Sequence, residues 1–130
     1  MSYYIARTVS GSFDEVVAAV IAQLKSRGFG VLSDIDVQAT LKAKLGVDTP
    51  RYRILGACNP HFAHEALQRE EHLGVLLPCN VIVREAADHR IEVASIDPVA
   101  SLERTGNASL RTMAEEVRGL LTATVQSIGG

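Results

Sequence analysis

The sequence predicts an α+β fold: a single mixed, largely antiparallel sheet of about five strands with helices packed mainly on one face. Segments with strand and helix patterns alternate along the chain in the order β-α-β-α-β-α-β-β-α. The last two strands are joined by the short turn Asp88-His89, which predicts an antiparallel hairpin. The chain has 130 residues, of which 47% are hydrophobic, enough for one domain over residues 1–130 with its own core.

The first half of the chain predicts three strands and two helices. Residues 3–9, 29–33 and 52–58 are rich in the aromatic and β-branched side chains that strands favour. Between the first two strands, residues 12–28 repeat apolar side chains at the spacing of an amphipathic helix. Residues 37–45 predict a shorter helix, with apolar side chains on one side.

The second half predicts a hairpin between two helices. A helix is expected over residues 60–71, and the strands over residues 75–85 and 90–96. Pro78 interrupts the first of these strands and suggests an edge strand or a bulge, because proline cannot donate a hydrogen bond to a neighbouring strand. A loop is expected after the hairpin, and residues 108–128 then predict the longest helix, with a continuous apolar stripe.

Charge and hydropathy exclude two classes of partner. Thirteen Lys and Arg residues against fifteen Asp and Glu residues leave a net charge of -2, so no nucleic acid partner is expected. The longest apolar run, residues 16–22, is far shorter than the roughly 20 residues of a membrane-spanning helix. The first residues lack the pattern of a secretory signal, so we expect a cytoplasmic location and no membrane association.

A single sheet with helices on one side has a second side that no helix of the predicted fold covers. That face must be polar, covered by another part of the chain, or paired with another chain, and the edge strands also need protection. Small sheets often meet these needs by self-association. The predicted oligomeric state is therefore a homodimer.

The two cysteines define a candidate site. Each stands beside an asparagine and a proline at a predicted corner, in Cys58-Asn59-Pro60 and in Pro78-Cys79-Asn80. The first cysteine precedes a predicted helix start, where free N–H groups and the helix dipole favour a thiolate or a bound anion. We therefore predict a site for a small or anionic ligand at Cys58, Asn59, Pro60, Cys79 and Asn80. The structural alternative makes both cysteines small buried residues and both asparagines turn or cap residues.

Other polar residues do not form a recognisable catalytic set. His61 and His64 are near Cys58 in the sequence and could join both cysteines around zinc, but exposure on a helix explains them better. We predict no cofactor and no metal. The leading hypothesis is a non-enzymatic ligand-binding domain. One alternative is a thiol-dependent redox or transfer protein, with Cys58 as the nucleophile and Cys79 as its resolving partner. Another is a non-catalytic interaction module.

Several segments resemble a known family. They are residues 52–60 with Cys-Asn-Pro, residues 74–81 with Leu-Pro-Cys-Asn, Ala63 with Ala66-Leu67, and Asp97-Pro98. In these segments the chain resembles the domain of unknown function 302 family. The resemblance implies a compact, self-associating α+β domain, bacterial or archaeal in most occurrences, with no established reaction or substrate. The family pattern covers Cys58, Asn59, Pro60, Pro78, Cys79 and Asn80, and leaves position 61 variable.

Overall fold

The computed structural model of the protein describes residues 2–129, which contain five strands and five α-helices. The strands are β1 (Tyr4–Val9), β2 (Gly30–Asp36), β3 (Tyr52–Cys58), β4 (Cys79–Glu85) and β5 (Ile91–Ile96). The helices are α1 (Phe13–Ser26), α2 (Val37–Leu45), α3 (Pro60–Arg69), α4 (Pro98–Leu102) and α5 (Arg111–Ser127). The predicted α+β class is confirmed.

The five strands form one sheet in the order β1-β5-β4-β3-β2. Every neighbouring pair among the described strands is antiparallel. The opening β-α-β segment does not form a parallel pair, because α1 carries the chain from one edge of the sheet to the other. The sheet is thus antiparallel throughout, where a mixed sheet was expected, and β4 lies at its centre.

Two segments differ from the sequence prediction. The strand expected over residues 75–85 begins only at Cys79, and Leu73–Leu76 form a 3₁₀ helix. Pro78 therefore stands just before a central strand and not on an edge strand, because a residue without an N–H group fits there without breaking the ladder. The loop expected after β5 contains α4, which is too short to show helical periodicity in the sequence.

The main core lies between the sheet and two helices. α1 and α5 pack on one side of the sheet, which we call the inner face. Strand side chains buried on this face include Val9, Leu55, Val81, Val83 and Val93. Because strand side chains alternate in direction, the residues between them point to the opposite side, which we call the outer face. Helix packing on one main face, as predicted, leaves two very different sheet surfaces.

The helices of the described residues are all too short or too polar to cross a membrane. The longest of them, α5, has 17 residues. Its buried residues follow one stripe, as the apolar periodicity of residues 108–128 predicts. Val117, Leu121 and Val125 pack in the core against the sheet, whereas Met113 packs in a second cluster with Ala66 and Leu73.

Candidate functional site

The first cysteine corner joins the end of β3 to the start of α3. Oδ1 of Asn59 accepts hydrogen bonds from the backbone N–H groups of His61 at 3.1 Å and Phe62 at 3.3 Å. Pro60 occupies the first turn, where its missing N–H costs no hydrogen bond. The sequence Asn-Pro thus begins the helix at this point, and Cys58 is held one residue before the cap.

The second cysteine corner is brought next to the first by strand pairing. Cys79, the first residue of β4, lies directly opposite Ala57 in β3, so the two cysteines are on adjacent strands. Both thiols are free. The fold therefore brings together the two cysteines, which are separated by 20 residues in the sequence.

Gly56 allows the chain to close tightly around the second corner. A methyl group added at this position would lie 2.8 Å from Cγ of Pro78 and would overlap Oγ of Ser33. Contacts this short do not occur in folded proteins, so a side chain at residue 56 would displace the Pro78 corner. The glycine inside a predicted strand is the sequence signal for this close approach.

A cavity of about 320 Å³ lies beside the two cysteines. It opens at the end of the sheet where β3 finishes and β4 begins, next to α3 and α5. Its lining residues include Cys58, Asn59, Phe62, Ala63, Cys79 and Met113. No charged side chain lines it among the described residues. The cavity is therefore an apolar space with two thiols and one amide in its wall.

Burial determines the protonation of one of the two thiols. Loss of hydration, and to a smaller extent the neighbouring Cys58, raise the pKa of Cys79 to about 11. Cys79 is therefore a neutral thiol at physiological pH. A neutral thiol is a weak donor and a poor nucleophile, so it contributes to the cavity chiefly as a small apolar group.

The two asparagines of the mirrored motif lie in different places. Asn59 lines the cavity, and its side-chain oxygen already serves the first N–H groups of α3. Asn80 is exposed, lies opposite Gly56, and borders a separate trough on the outer face. Of the five candidate residues, Cys58, Asn59 and Cys79 line one cavity, whereas Pro60 and Asn80 do not.

The histidines stand away from the cavity. His61 and His64 are exposed on α3 and do not line it. Within residues 2–129, no three His, Cys, Asp or Glu side chains come close enough to hold a metal ion.

Several cavity residues were not singled out as site residues from the sequence. Phe62, Met113 and Val117 line the cavity from two helices, and Leu73 and Leu77 line it from the segment before β4. The apolar stripe of the last helix already contained Met113 and Val117, but periodicity assigns a residue to a face without saying what it faces. The sequence did not predict that Leu73 and Leu77 line a cavity, because part of their segment has the pattern of a strand.

The fold and the cavity place the chain among α+β domains with a single antiparallel sheet and a small apolar pocket at one end. The chain belongs to the DUF302 family, because the family described as "Domain of unknown function DUF302" matches residues 5–128. The resemblance seen in the sequence is thereby confirmed.

A solved structure shares the whole fold. The crystal structure of an uncharacterized conserved DUF302 protein from Bacillus stearothermophilus is similar with a TM-score of 0.92 and 25% sequence identity. The similarity covers 98% of this chain and 99% of that one. No curated protein matches the chain.

Proposed function

We propose that the protein binds a small, uncharged and largely apolar molecule in the cavity beside Cys58 and Cys79. The observation that carries this proposal is the cavity itself, about 320 Å³ of space that is partly open to solvent and lined by apolar side chains with two thiols and one amide. Ligand pockets begin at about 300 Å³. A cavity of this size suits a ligand with up to three rings or a short branched chain.

The lining favours a neutral ligand over the anionic one considered from the sequence. An anion at the start of α3 would need free N–H groups, but Oδ1 of Asn59 already accepts from two of them. Within residues 2–129, no Lys, Arg or His side chain lines the cavity to balance a negative charge. A buried charge without a partner is costly, so these contacts select against anions.

The protonation of Cys79 favours binding over thiol chemistry. A redox cycle with Cys58 as nucleophile would need Cys79 to act as the resolving thiolate. The raised pKa of Cys79 keeps its thiolate population very small at neutral pH. In the proposed function the two thiols are part of the cavity wall, and the protein is not an enzyme.

We also propose a cytoplasmic location. Two free thiols on adjacent strands are compatible with a reducing compartment, because oxidising compartments convert neighbouring cysteines to disulfides.

A matched pair of fluorescent probes tests the proposed site. N-phenylnaphthylamine is neutral, and anilinonaphthalene sulfonate carries the same rings with a sulfonate group added. We expect the neutral probe to bind with increased fluorescence and the sulfonate to bind at least about tenfold more weakly, a difference of about 1.4 kcal/mol. Equal binding of both probes would contradict the proposed preference for neutral ligands.

A pair of variants then assigns the probe to the cavity. Ala63→Phe, in α3, would fill part of the space, and Ala22→Phe adds the same ring to an exposed position of α1. We expect Ala63→Phe to abolish probe binding and Ala22→Phe to retain it, with circular dichroism showing that both are folded. Unchanged binding by folded Ala63→Phe would show that the probe binds elsewhere and would overturn the proposal.

A further inference from the structure

The side-chain amide of Asn59, in the cavity wall, is only half used by the fold. Its Oδ1 accepts from the backbone N–H groups of His61 and Phe62 at 3.1 and 3.3 Å. Because these backbone groups can only donate, they fix which end of the amide faces α3. Nδ2 therefore points away from the helix start, and within residues 2–129 it donates to no protein acceptor. Its two N–H bonds are free to serve another molecule.

The end of α1 leaves room for this amide nitrogen. A methyl group added at Gly28 would lie 3.1 Å from Nδ2 of Asn59, which is closer than an ordinary van der Waals contact. Gly28 has a φ of +88°, the left-handed conformation that often follows a helix. The next residue, Phe29, lines the cavity together with Asn59. The glycine thus lets the amide nitrogen lie beside the cavity wall.

The cavity wall offers donors but no free side-chain oxygen. Cys79 is a neutral thiol because burial raises its pKa, and its S–H group is a weak donor. Among residues 2–129, no carboxylate, hydroxyl or second side-chain amide lines the cavity. A ligand N–H or O–H group would therefore lose its hydrogen bonds to water without a good replacement. A ligand oxygen that only accepts would meet the free amide of Asn59.

We propose that the ligand of this cavity is a neutral carbonyl compound whose oxygen accepts a hydrogen bond from Nδ2 of Asn59. Ketones and esters have this chemistry, because they accept hydrogen bonds and have no N–H or O–H group to leave unpaired. The carbonyl is added to the apolar ligand of the proposed function, on which the assignment rests. Asn59 then has two roles, since its oxygen begins α3 and its nitrogen selects the ligand.

Two naphthalene compounds that differ at one carbon test this hydrogen bond. Methyl naphthyl ketone carries the carbonyl, and ethylnaphthalene has a methylene group in its place. Each competes with N-phenylnaphthylamine for the wild-type chain and for two variants. Asn59→Asp keeps a capping oxygen and the side-chain shape but replaces the NH₂ donor by a second oxygen. Asn80→Asp makes the same change on the outer face and is the matched control.

The ketone should respond to the change at residue 59 and the hydrocarbon should not. In Asn59→Asp the inhibition constant of the ketone should rise at least about tenfold more than that of ethylnaphthalene, because a donor is replaced by a repelling oxygen. Asn80→Asp should leave the ratio of the two constants unchanged. Equal changes for both compounds in folded Asn59→Asp would overturn the hydrogen bond and leave the proposed function intact. Failure of both compounds and of the probe to bind the wild-type chain would overturn the proposed function itself.

Infrared spectroscopy of the bound ketone covers the case in which Asn59→Asp fails to fold. Accepting a hydrogen bond lowers the carbonyl stretching frequency, and an isotope label at the carbonyl carbon separates this band from the protein amide bands. The ketone bound to the wild-type chain should give a single narrow band below its frequency in hexane. A band at the hexane frequency, or a broad band like that in water, would overturn the assignment of Nδ2 as the donor.

Discussion

Both faces of the sheet carry apolar side chains at their centres, but the surroundings of these side chains differ. On β3, Leu55 points into the core and is completely buried, while its neighbour Ile54 points outward and is only partly buried. On β4, Val81 and Val83 are completely buried and Ile82 between them is not. The comparison shows that apolar residue type alone does not decide which strand residues stabilise the isolated chain. The packing of α1 and α5 on one face decides it, because the hydrophobic contribution depends on how much of each side chain is buried.

The same division separates the two cysteine corners. Cys79 lies on the inner side and lines the cavity, while the next residue, Asn80, lies on the outer face. At the other corner β3 ends at Cys58, so the direction of the Asn59 side chain is not set by strand alternation. Asn59 caps α3 beside the cavity. Two motifs that look alike in the sequence therefore have different roles.

The largest difference between the faces is expected for truncation in β3. Leu55→Ala removes a fully buried side chain from the core and should lower the free energy of unfolding by about 3 kcal/mol. Ile54→Ala should cost the isolated chain less than about 1.5 kcal/mol, because its side chain is already partly in water. Urea denaturation at a low protein concentration, where any second copy has dissociated, measures both. Equal losses would show that the outer face is as well packed as the core.

The second largest expected effect is a pH dependence of the free energy of unfolding, caused by Cys79 on the inner face. Because folding raises the pKa of Cys79 to about 11, the folded chain keeps a proton that the unfolded chain has lost. The folded state then binds more protons, so stability should fall as pH rises from about 9 to about 11. The expected loss is at most about 2.7 kcal/mol, since the pKa rises from 9.0 to about 11 and one pKa unit corresponds to about 1.4 kcal/mol.

The Cys79→Ser variant isolates that effect. All other residues are the same in the two proteins, so the difference between the two stability profiles reports residue 79. Urea denaturation under reducing conditions at several pH values should show the two profiles converging as pH rises. Parallel profiles would mean that the Cys79 thiol is better hydrated than its position in the cavity wall indicates.

Local signals in the sequence were enough to predict most elements. Ser12 caps α1, with Oγ accepting from the N–H of Glu15 at 3.5 Å, and Asn59 with Pro60 begins α3. These features depend on residues within one turn of each other. The same holds for the hairpin of β4 and β5 and for the apolar stripe of α5.

The cavity could not be predicted, because it depends on residues that are distant in the sequence. Ala57 and Cys79 become neighbours only through strand pairing, and Met113 reaches the same space from α5. The start of β4 also differs from the prediction, because Val75, Leu76 and Leu77 are apolar residues that fit either a strand or an irregular segment. The sequence named both cysteines as candidates, but their common cavity follows from the topology.

The smallest predicted difference concerns the two asparagines. Asn59→Ala removes the oxygen that accepts from two backbone N–H groups at the start of α3, and should cost about 1 kcal/mol. Asn80→Ala changes an exposed side chain and should stay within about 0.5 kcal/mol of the wild type. Asn59→Ser, which keeps a capping oxygen, should recover most of the loss in the same urea denaturation experiment. Similar losses for Asn59→Ala and Asn80→Ala would contradict the different roles assigned here to the two corners.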